Sequence, residues 1–177
     1  MKTLETPRLI LRTWEESDAA DLYDYAQSEN VGPNAGWKPH ESLEETKAVI
    51  RMFREDDNVW AVVLKEENRV IGSVGLHGKW EDARELGYVL SDKYWGRGII
   101  PEASREALRF AFEEMGMQRV VIGHFPHNQR SKRVIEKLGF RHTGYAEKAF
   151  ERYDGVMMDE ERYEMTKEEW NKLFTKN

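Results

Sequence analysis

The sequence predicts an α/β fold, with a mixed β-sheet flanked by helices. Apolar β-rich runs alternate along the chain with stretches whose apolar residues recur at helical spacing. A chain of 177 residues, 40% of them hydrophobic, can bury roughly two-thirds of its unfolded surface in a single core. No internal repeat or linker interrupts it. We therefore expect one domain over residues 1–177.

The first third of the chain is predicted to hold one strand and two helices. Residues 8–13 (RLILRT) read as the strand, and Ser17 is placed to cap the helix that follows. The segment NVGPNAGWKPH has two Gly and two Pro, so a loop is expected there. Ser42 and Glu45 then form a capping box, which indicates a second helix ending near residue 55.

The remainder is predicted to alternate strands with three more helices. Strands are expected at residues 59–64, 69–76, 85–91, 119–125, 140–146 and 156–165, the first two joined as a hairpin. Helices are expected over residues 99–115, from Asn128 to Gly139, and after a capping box formed by Thr166 and Glu169. In the last helix we expect three residues to anchor the core: Trp170, Leu173 and Phe174.

The composition excludes several classes of protein. The chain has no Cys, so it has no thiol nucleophile, no disulfide framework and no Cys-based zinc site. The first residues, MKTLETPRLIL, are too polar for a signal peptide, and no apolar run of about 18 residues is long enough to span a bilayer. The expectation is a cytoplasmic protein without a membrane partner.

The charge distribution contains one basic window. The net charge of −6 disfavours nucleic acid as a partner. Residues 119–142 nevertheless carry six Arg and Lys against one Glu, which gives +5 there and −11 over the rest. This window could hold an anion, although a short charge cluster is more often a solvated helix face.

A glycine turn between a strand and a helix is the most informative segment. In KYWGRGIIPEA, Gly96 and Gly98 allow the backbone to approach an anion closely, and the following helix offers unpaired N–H groups. The spacing matches neither the P-loop nor the three-glycine dinucleotide fingerprint. A tight turn without a ligand is the alternative reading.

Four features taken together make the chain similar to the GCN5-related N-acetyltransferase (GNAT) superfamily, in particular to its ribosomal-protein N-terminal acetyltransferase branch. They are the opening ETPRLILR, the strand ELGYVLS leading into YWGRGIIPEA, the segment from NQRS to EKLGF, and their order and spacing. The resemblance covers nearly the whole chain. It implies a splayed, mostly antiparallel sheet that binds acetyl-CoA, with Gly87 at a bulge in the strand beside the pantetheine arm.

The resemblance also implies which residues bind the coenzyme. The pyrophosphate is expected on the amides of the glycine turn, the pantetheine arm along the preceding strand, and the remaining phosphate beside the basic window. The implied residues are Tyr88, Val89, Leu90, Trp95, Gly96, Arg97, Gly98, Ile99, Asn128, Ser131, Lys132 and Arg133. Lys93 departs from the Gln or Arg that often begins the family turn, so only backbone contacts with the coenzyme are expected there.

Acetyl transfer to an amine requires a base for the amine proton and a proton for the leaving thiolate. Many superfamily members place a Tyr where this chain has Ile135, so the resemblance points to Ser131 as the donor. Glu85 is the expected base, acting directly or through water. The alternatives are that Ser131 only caps its helix and that Glu85 only faces solvent.

The acceptor is expected to be a primary amine, either a protein N-terminus or a small molecule. Its site is expected to include Trp37, His40 and Glu85, because the resemblance places the first two helices over the cleft. No metal is expected, since the remaining His residues lack ligand spacing. A catalytically silent acyl-CoA-binding module is the competing reading. The assembly state, monomer or homodimer, stays open.

Overall fold

The computed structural model describes residues 1–175, which form one eight-stranded sheet with six α-helices. The strands are β1 (Leu4–Glu5), β2 (Leu9–Arg12), β3 (Val59–Leu64), β4 (Arg69–His77), β5 (Ala83–Leu90), β6 (Arg119–His124), β7 (Arg141–Glu151) and β8 (Met157–Thr166). The helices are α1 (Ala19–Ala26), α2 (Gly32–Ala35), α3 (Leu43–Asp56), α4 (Ile99–Arg109), α5 (Gln129–Leu138) and α6 (Lys167–Phe174). The predicted α/β class is confirmed.

The sheet opens between its two central strands. The strand order is β1-β2-β3-β4-β5-β6-β8-β7, and every neighbouring pair is antiparallel except β5 and β6. These two run parallel and are paired only where Ala83–Glu85 lies beside residues 119–121. Beyond Glu85 they separate, so the splayed sheet that the resemblance implied is present.

Helices cover both faces of the sheet. On β3, Ala61 and Val63 pack in a cluster with α1 and α3, while Trp60 and Val62 belong to the larger cluster that includes α4, α5 and α6. All six residues of β3 are buried because the strand is covered on both sides. The opening therefore has a helix layer above it and another below it.

Several local predictions are confirmed by cap geometry. Asn128 Oδ1 accepts the N–H of Ser131 at the start of α5, and Gly139 ends that helix with a φ of 91°. Thr166 and Glu169 form the reciprocal capping box of α6. These caps depend on residues close in sequence, which is why local pattern was sufficient to find them.

Two predictions near the N-terminus are wrong. Ser17 does not cap α1, because a 3-10 turn over Glu16–Asp18 precedes that helix. The turn is fixed by Asp18, which accepts the N–H of Glu15 and pairs with Arg12 at 2.8 Å. The Gly/Pro segment also contains the short helix α2, since its Pro lies in the first helical turn, where a missing N–H costs nothing.

Three further expectations need correction. Gly87 is not at a bulge, because residues 72–77 of β4 pair with residues 85–90 of β5 without a register shift. The helix expected over residues 99–115 is α-helical only to Arg109 and continues as a π-helix over Phe110–Glu114. Leu173 is 50% exposed and does not anchor the core, unlike Trp170, which is 2% exposed.

Within residues 1–175, none of the helices combines the length and apolar character needed to cross a membrane.

Candidate active site

A cavity of about 890 Å³ fills the opening between β5 and β6. It runs from the glycine turn at the start of α4, past the first turn of α5, to the segment between α1 and α3. Its lining includes Gly96, Ser131, Glu85 and His40, which lie far apart in the sequence. One continuous space therefore connects the predicted anion site with the predicted acceptor site.

The glycine turn offers a row of unpaired N–H groups. Among residues 1–175, no N–H of residues 96–100 donates a hydrogen bond to another part of the protein. Gly96 and Gly98 have φ angles of 79° and 73°, in the left-handed region that glycine adopts without strain. A Cβ on Gly96 would meet nothing within 4 Å, so the space beside the turn is open. The turn therefore fits an anion such as a pyrophosphate.

The turn is held in place by Glu102, which lies in the first turn of α4. Its carboxylate accepts the hydroxyl of Thr6 at 2.6 Å and the Nε–H of Arg8 at 2.7 Å. Arg8 also donates to the carbonyl of Arg97 at 2.8 Å. Burial acts to raise the pKa of Glu102, but the hydrogen bonds from Thr6 and Arg8 keep it below its ordinary value. The opening segment of the chain thus braces the turn through its own hydrogen bonds.

The backbone of β5 faces the opening at alternate residues. Ser91 donates its N–H to Ile71 on β4 at 2.8 Å, which fixes the hydrogen-bonded pairs of this antiparallel ladder. By alternation, the N–H and C=O groups of Tyr88 and Leu90 point away from β4 and toward the gap. The carbonyl of Leu90 accepts the indole N–H of Trp95 at 3.2 Å. The Tyr88 groups can thus pair with an extended ligand arm.

Two hydroxyl groups meet at the middle of the cavity. Tyr88 Oη lies 2.8 Å from Ser131 Oγ, across the gap from β5 to α5. Burial raises the pKa of Tyr88, even though its hydrogen bond to Ser131 acts in the opposite direction. The Tyr88 hydroxyl therefore stays protonated at neutral pH. Only the backbone of Tyr88 was expected at the site, because contact of its hydroxyl with Ser131 depends on how α5 packs beside the opening.

The predicted basic residues separate into two groups. Arg133 lines the cavity, as do Arg130 and Lys137. Lys132 instead faces a shallow groove on the other side of α5, with its ammonium 4.0 Å from Glu136. A helix turns by about 100° per residue, so neighbours such as Lys132 and Arg133 point in different directions.

The glycine turn and α5 are bridged by a cation–π contact. The guanidinium of Arg130 lies 3.5 Å from the ring centre of Trp95. Arg97 does not line the cavity and lies over the ring of Tyr94, at 5.1 Å. The side chain of Arg97, which was expected to bind the coenzyme, is therefore not directed at the opening. Its backbone N–H still belongs to the row of unpaired donors in the glycine turn.

Glu85 lies at the acceptor end of the cavity, where β5 leaves β6. His77 on β4 is directly opposite it, and Glu160 on β8 lines the same space. Burial raises the pKa of Glu85, opposed by the positive charge of Arg162. Burial also raises the pKa of Glu160 and lowers that of His77. Sequence reasoning missed His77 and Glu160 because cross-strand register, rather than spacing along the chain, places them beside Glu85.

The segment between α1 and α3 forms the wall opposite the sheet. The rings of Trp37 and His40 lie 5.3 Å apart, and both residues line the cavity. His40 Nδ1 is 2.8 Å from the hydroxyl of Thr46, and burial lowers the pKa of His40. The imidazole is thus neutral at pH 7 and ties this segment to α3.

An aromatic contact closes one end of the cavity. Phe150 on β7 packs against Phe125, with ring centres 5.5 Å apart, and it occupies the space beside Gly36. Gly36 has a φ of 92° and no Cβ, which lets the ring approach. The β7–β8 hairpin, which sequence analysis treated as two closing strands, therefore reaches over the acceptor end.

Among residues 1–175, no group of three or more His, Asp or Glu side chains is arranged to bind a metal ion. What the cavity offers is a set of free backbone donors at one end, a hydroxyl pair in the middle and carboxylates at the other end. A sheet that opens beside such a glycine turn suits an acyltransferase that uses a coenzyme A thioester. Free N–H groups match its pyrophosphate, and the open edge of β5 matches its arm.

The chain belongs to the GNAT acetyltransferase family, whose domain profile matches residues 8–141. It is 29% identical to the Bacillus subtilis protein named uncharacterized N-acetyltransferase YnaD, over 95% of this chain and 99% of that one. It is 28% identical to the Escherichia coli enzyme named [ribosomal protein uS5]-alanine N-acetyltransferase, over 94% of this chain and 92% of that one. A GNAT acetyltransferase structure from Bacillus anthracis superposes with a TM-score of 0.87 at 26% identity, covering 94% of this chain and 99% of that one. The chain is accordingly an N-acetyltransferase, of a family that uses acetyl-CoA.

Proposed function

We propose that this enzyme moves an acetyl group directly from acetyl-CoA to a primary amine, either a protein N-terminus or a small molecule, within one domain. The observation that carries this proposal is the shared cavity, which places the unpaired N–H groups of residues 96–100, Ser131 and Glu85 along one path. Without Cys, a covalent acetyl-enzyme lacks its best nucleophile, which favours direct transfer.

The coenzyme is proposed to lie along the opening. Its pyrophosphate binds the amides from Gly96 to Ile99, whereas the expected amide of Trp95 already donates to the Asp92 carbonyl at 3.4 Å. Its arm lies beside Tyr88, Val89 and Leu90 and pairs with the backbone of Tyr88, because the backbone groups of Val89 point toward β4. Asn128 is proposed to bind the arm through the second N–H of its Nδ2 group, because its Oδ1 caps α5 and its other N–H donates to the Asn34 carbonyl at 3.4 Å. Of the two basic residues expected at the 3′-phosphate, only Arg133 lines the cavity, so we assign that contact to Arg133.

The transfer step is proposed to use Glu85 and Ser131. The amine nitrogen attacks the thioester carbonyl carbon, so that a C–N bond forms as the C–S bond breaks. The amine proton passes to Glu85, directly or through water, and the thiolate takes a proton from Ser131, which regains one from solvent through the Tyr88 hydroxyl as Glu85 releases the amine proton to solvent. The raised pKa of Glu85 brings this carboxylate closer to the basicity that a neutral-pH base needs. The protonated hydroxyl of Tyr88 supports Ser131 by hydrogen bonding as its proton leaves.

The acceptor wall is assigned to Trp37 and His40, which lie across the cavity from Glu85. An aromatic surface beside a carboxylate favours an amine, since both attract its protonated form before the proton is lost. The relationship to the E. coli enzyme supports testing a protein N-terminus, while the enclosed acceptor end supports testing small amines.

The experiment is a thiol-release assay with acetyl-CoA, a panel of small amines and alanine-initiated peptides. We expect acceptor-dependent release of free coenzyme, together with a rise in melting temperature when acetyl-CoA alone is added. The Glu85→Gln variant should keep the melting shift and lose most of the release. A melting shift with no release for any acceptor would instead identify a silent acyl-CoA-binding module.

A further inference from the structure

Three glycines form the floor of the acceptor end. The register places Gly75 opposite Gly87, and alternation puts Gly123 of β6 on the same face of the sheet. A Cβ at Gly75 or Gly87 would lie 2.8 or 3.0 Å from the His77 ring, and a Cβ at Gly123 would overlap the Glu160 carboxylate. The absence of side chains on this floor leaves the space that the His77 ring and the Glu160 carboxylate occupy.

Glu160 reaches the cavity from the far side of the opening. Arg162 is paired with Gly123 across β8 and β6, so Glu160, two residues earlier, shares the face that carries Gly123 and Glu85. Within residues 1–175, the carboxylate of Glu160 has no hydrogen-bond partner, and no Lys, Arg or His nitrogen lies within 4.0 Å of it. Its neighbour Glu161 faces the other way and pairs with His142 at 2.6 Å.

The groups around Glu160 leave room for a cation. His124 on β6 uses both ring nitrogens, toward the Phe125 carbonyl and the Tyr163 hydroxyl. The pKa of His77 is lowered by burial, so that ring is neutral at pH 7. Arg162 shares this face and its positive charge acts to lower the pKa of both Glu160 and Glu85, but its side chain is exposed and forms no ion pair within the described chain. The side chain of Phe125 adds an aromatic ring at the same end, and such rings attract ammonium groups.

We propose that Glu160 is a specificity-determining residue that binds a second ammonium group of the acceptor, so that the preferred acceptor is a small diamine. This inference rests on the proposed function, because Glu85 serves the reacting amine while Glu160 binds the amine that is not acetylated. A carboxylate on each side of the opening lets one extended diamine span the two sites. A monoamine would leave Glu160 without its partner.

The test compares 1,4-diaminobutane with 4-amino-1-butanol, which has the same length but a hydroxyl in place of one amine. The ratio of kcat/KM for the diamine to that for the amino alcohol is measured for wild type and for Glu160→Gln. We expect a wild-type preference of roughly 10- to 100-fold, the range for one charge-assisted contact, and its loss in the variant. Glu161→Gln is the matched control and should keep the preference.

Binding is measured separately by calorimetry, with each amine titrated into the protein loaded with coenzyme A. The same preference should appear in Kd and should disappear in Glu160→Gln, while Glu160→Asp, which keeps the charge, should retain part of it. Equal Kd values for the two amines in the wild type would overturn the inference, as would an unchanged preference in Glu160→Gln. Tighter binding of an alanine-initiated peptide than of the diamine would also overturn it. Absence of thiol release with a clear diamine preference in Kd would refute the proposed function and leave this inference standing.

Discussion

Replacing Gly96 by Ala separates the cost of folding from the cost of coenzyme binding. Gly96 has a φ of 79°, and an added Cβ would meet no neighbouring atom within 4 Å. The folded protein thus bears only the strain of an L-residue in the left-handed region, about 1–2 kcal/mol. For a chain of this size that strain lowers the melting temperature by about 2–8 °C. The new methyl group occupies the space where we expect the pyrophosphate.

Gly155 provides a matched control in the β7–β8 hairpin. It also has a φ of 79° and open space around its Cβ position, and it does not line the cavity. Gly155→Ala should therefore lower the melting temperature by the same amount as Gly96→Ala. The two variants should differ only when acetyl-CoA is present.

The expected difference follows from mass action. At 100 times its Kd, acetyl-CoA stabilises the wild type and Gly155→Ala by about 2.7 kcal/mol, a rise of about 5–11 °C. Loss of one charge-assisted contact weakens Kd by about 100-fold, which leaves Gly96→Ala with about 0.4 kcal/mol and a rise of 1–2 °C. Differential scanning fluorimetry, with and without one fixed acetyl-CoA concentration, measures the rise in melting temperature for each variant. An equal rise in the two variants would show that the glycine turn is not the coenzyme cradle.

The other predictions concern catalysis, the phosphate contact and the core. Glu85→Gln should lower turnover by roughly 10²- to 10⁴-fold, partly recovered at higher pH where more amine is neutral; a flat pH-independent loss would contradict the base assignment. Ser131→Ala should slow turnover without that recovery, and unchanged turnover would remove its role as donor. Arg133→Ala should weaken acetyl-CoA more than an analogue lacking the 3′-phosphate, whereas Lys132→Ala should leave both Kd values nearly unchanged; equal weakening of the two ligands would indicate general electrostatics. Trp170→Ala should lower the free energy of unfolding, measured in urea, by about 3–5 kcal/mol and leave the Kd of the coenzyme unchanged. A decrease below about 1 kcal/mol would contradict its role in the core.

Features set by neighbouring residues could be predicted from the sequence. The cap of α5 needs only Asn128 and the N–H three residues later, and its end needs only Gly139. The glycine turn is local in the same way, since a positive φ at Gly96 and Gly98 follows from the absence of Cβ. The resemblance added the splayed sheet, which no local pattern indicates.

Features set by register could not be predicted in this way. Gly87 was assigned to a bulge, but its lack of a Cβ serves the His77 ring, which reaches it from β4. Glu160 is 75 positions from Glu85 and meets it only because β8 pairs with β6 in one particular register. The direction of Lys132 likewise depends on which side of α5 faces the opening. Each of these is a tertiary outcome that sequence spacing leaves undetermined.

The short pairing between β5 and β6 divides the sheet into two halves, β1 to β5 and β6 to β8, that share few backbone hydrogen bonds. Within residues 1–175, three residue pairs of β5 and β6 join the two halves of the sheet, and the other contacts between the halves come from the packed helices. An extended ligand arm along β5 would act as a strut, because it supplies interstrand hydrogen bonds that the protein itself does not make there. Amide hydrogens near Tyr88 should then exchange slowly in the loaded enzyme and rapidly in the empty one. The lifetime of the folded chain, and its resistance to proteolysis, would thus follow the supply of acetyl-CoA.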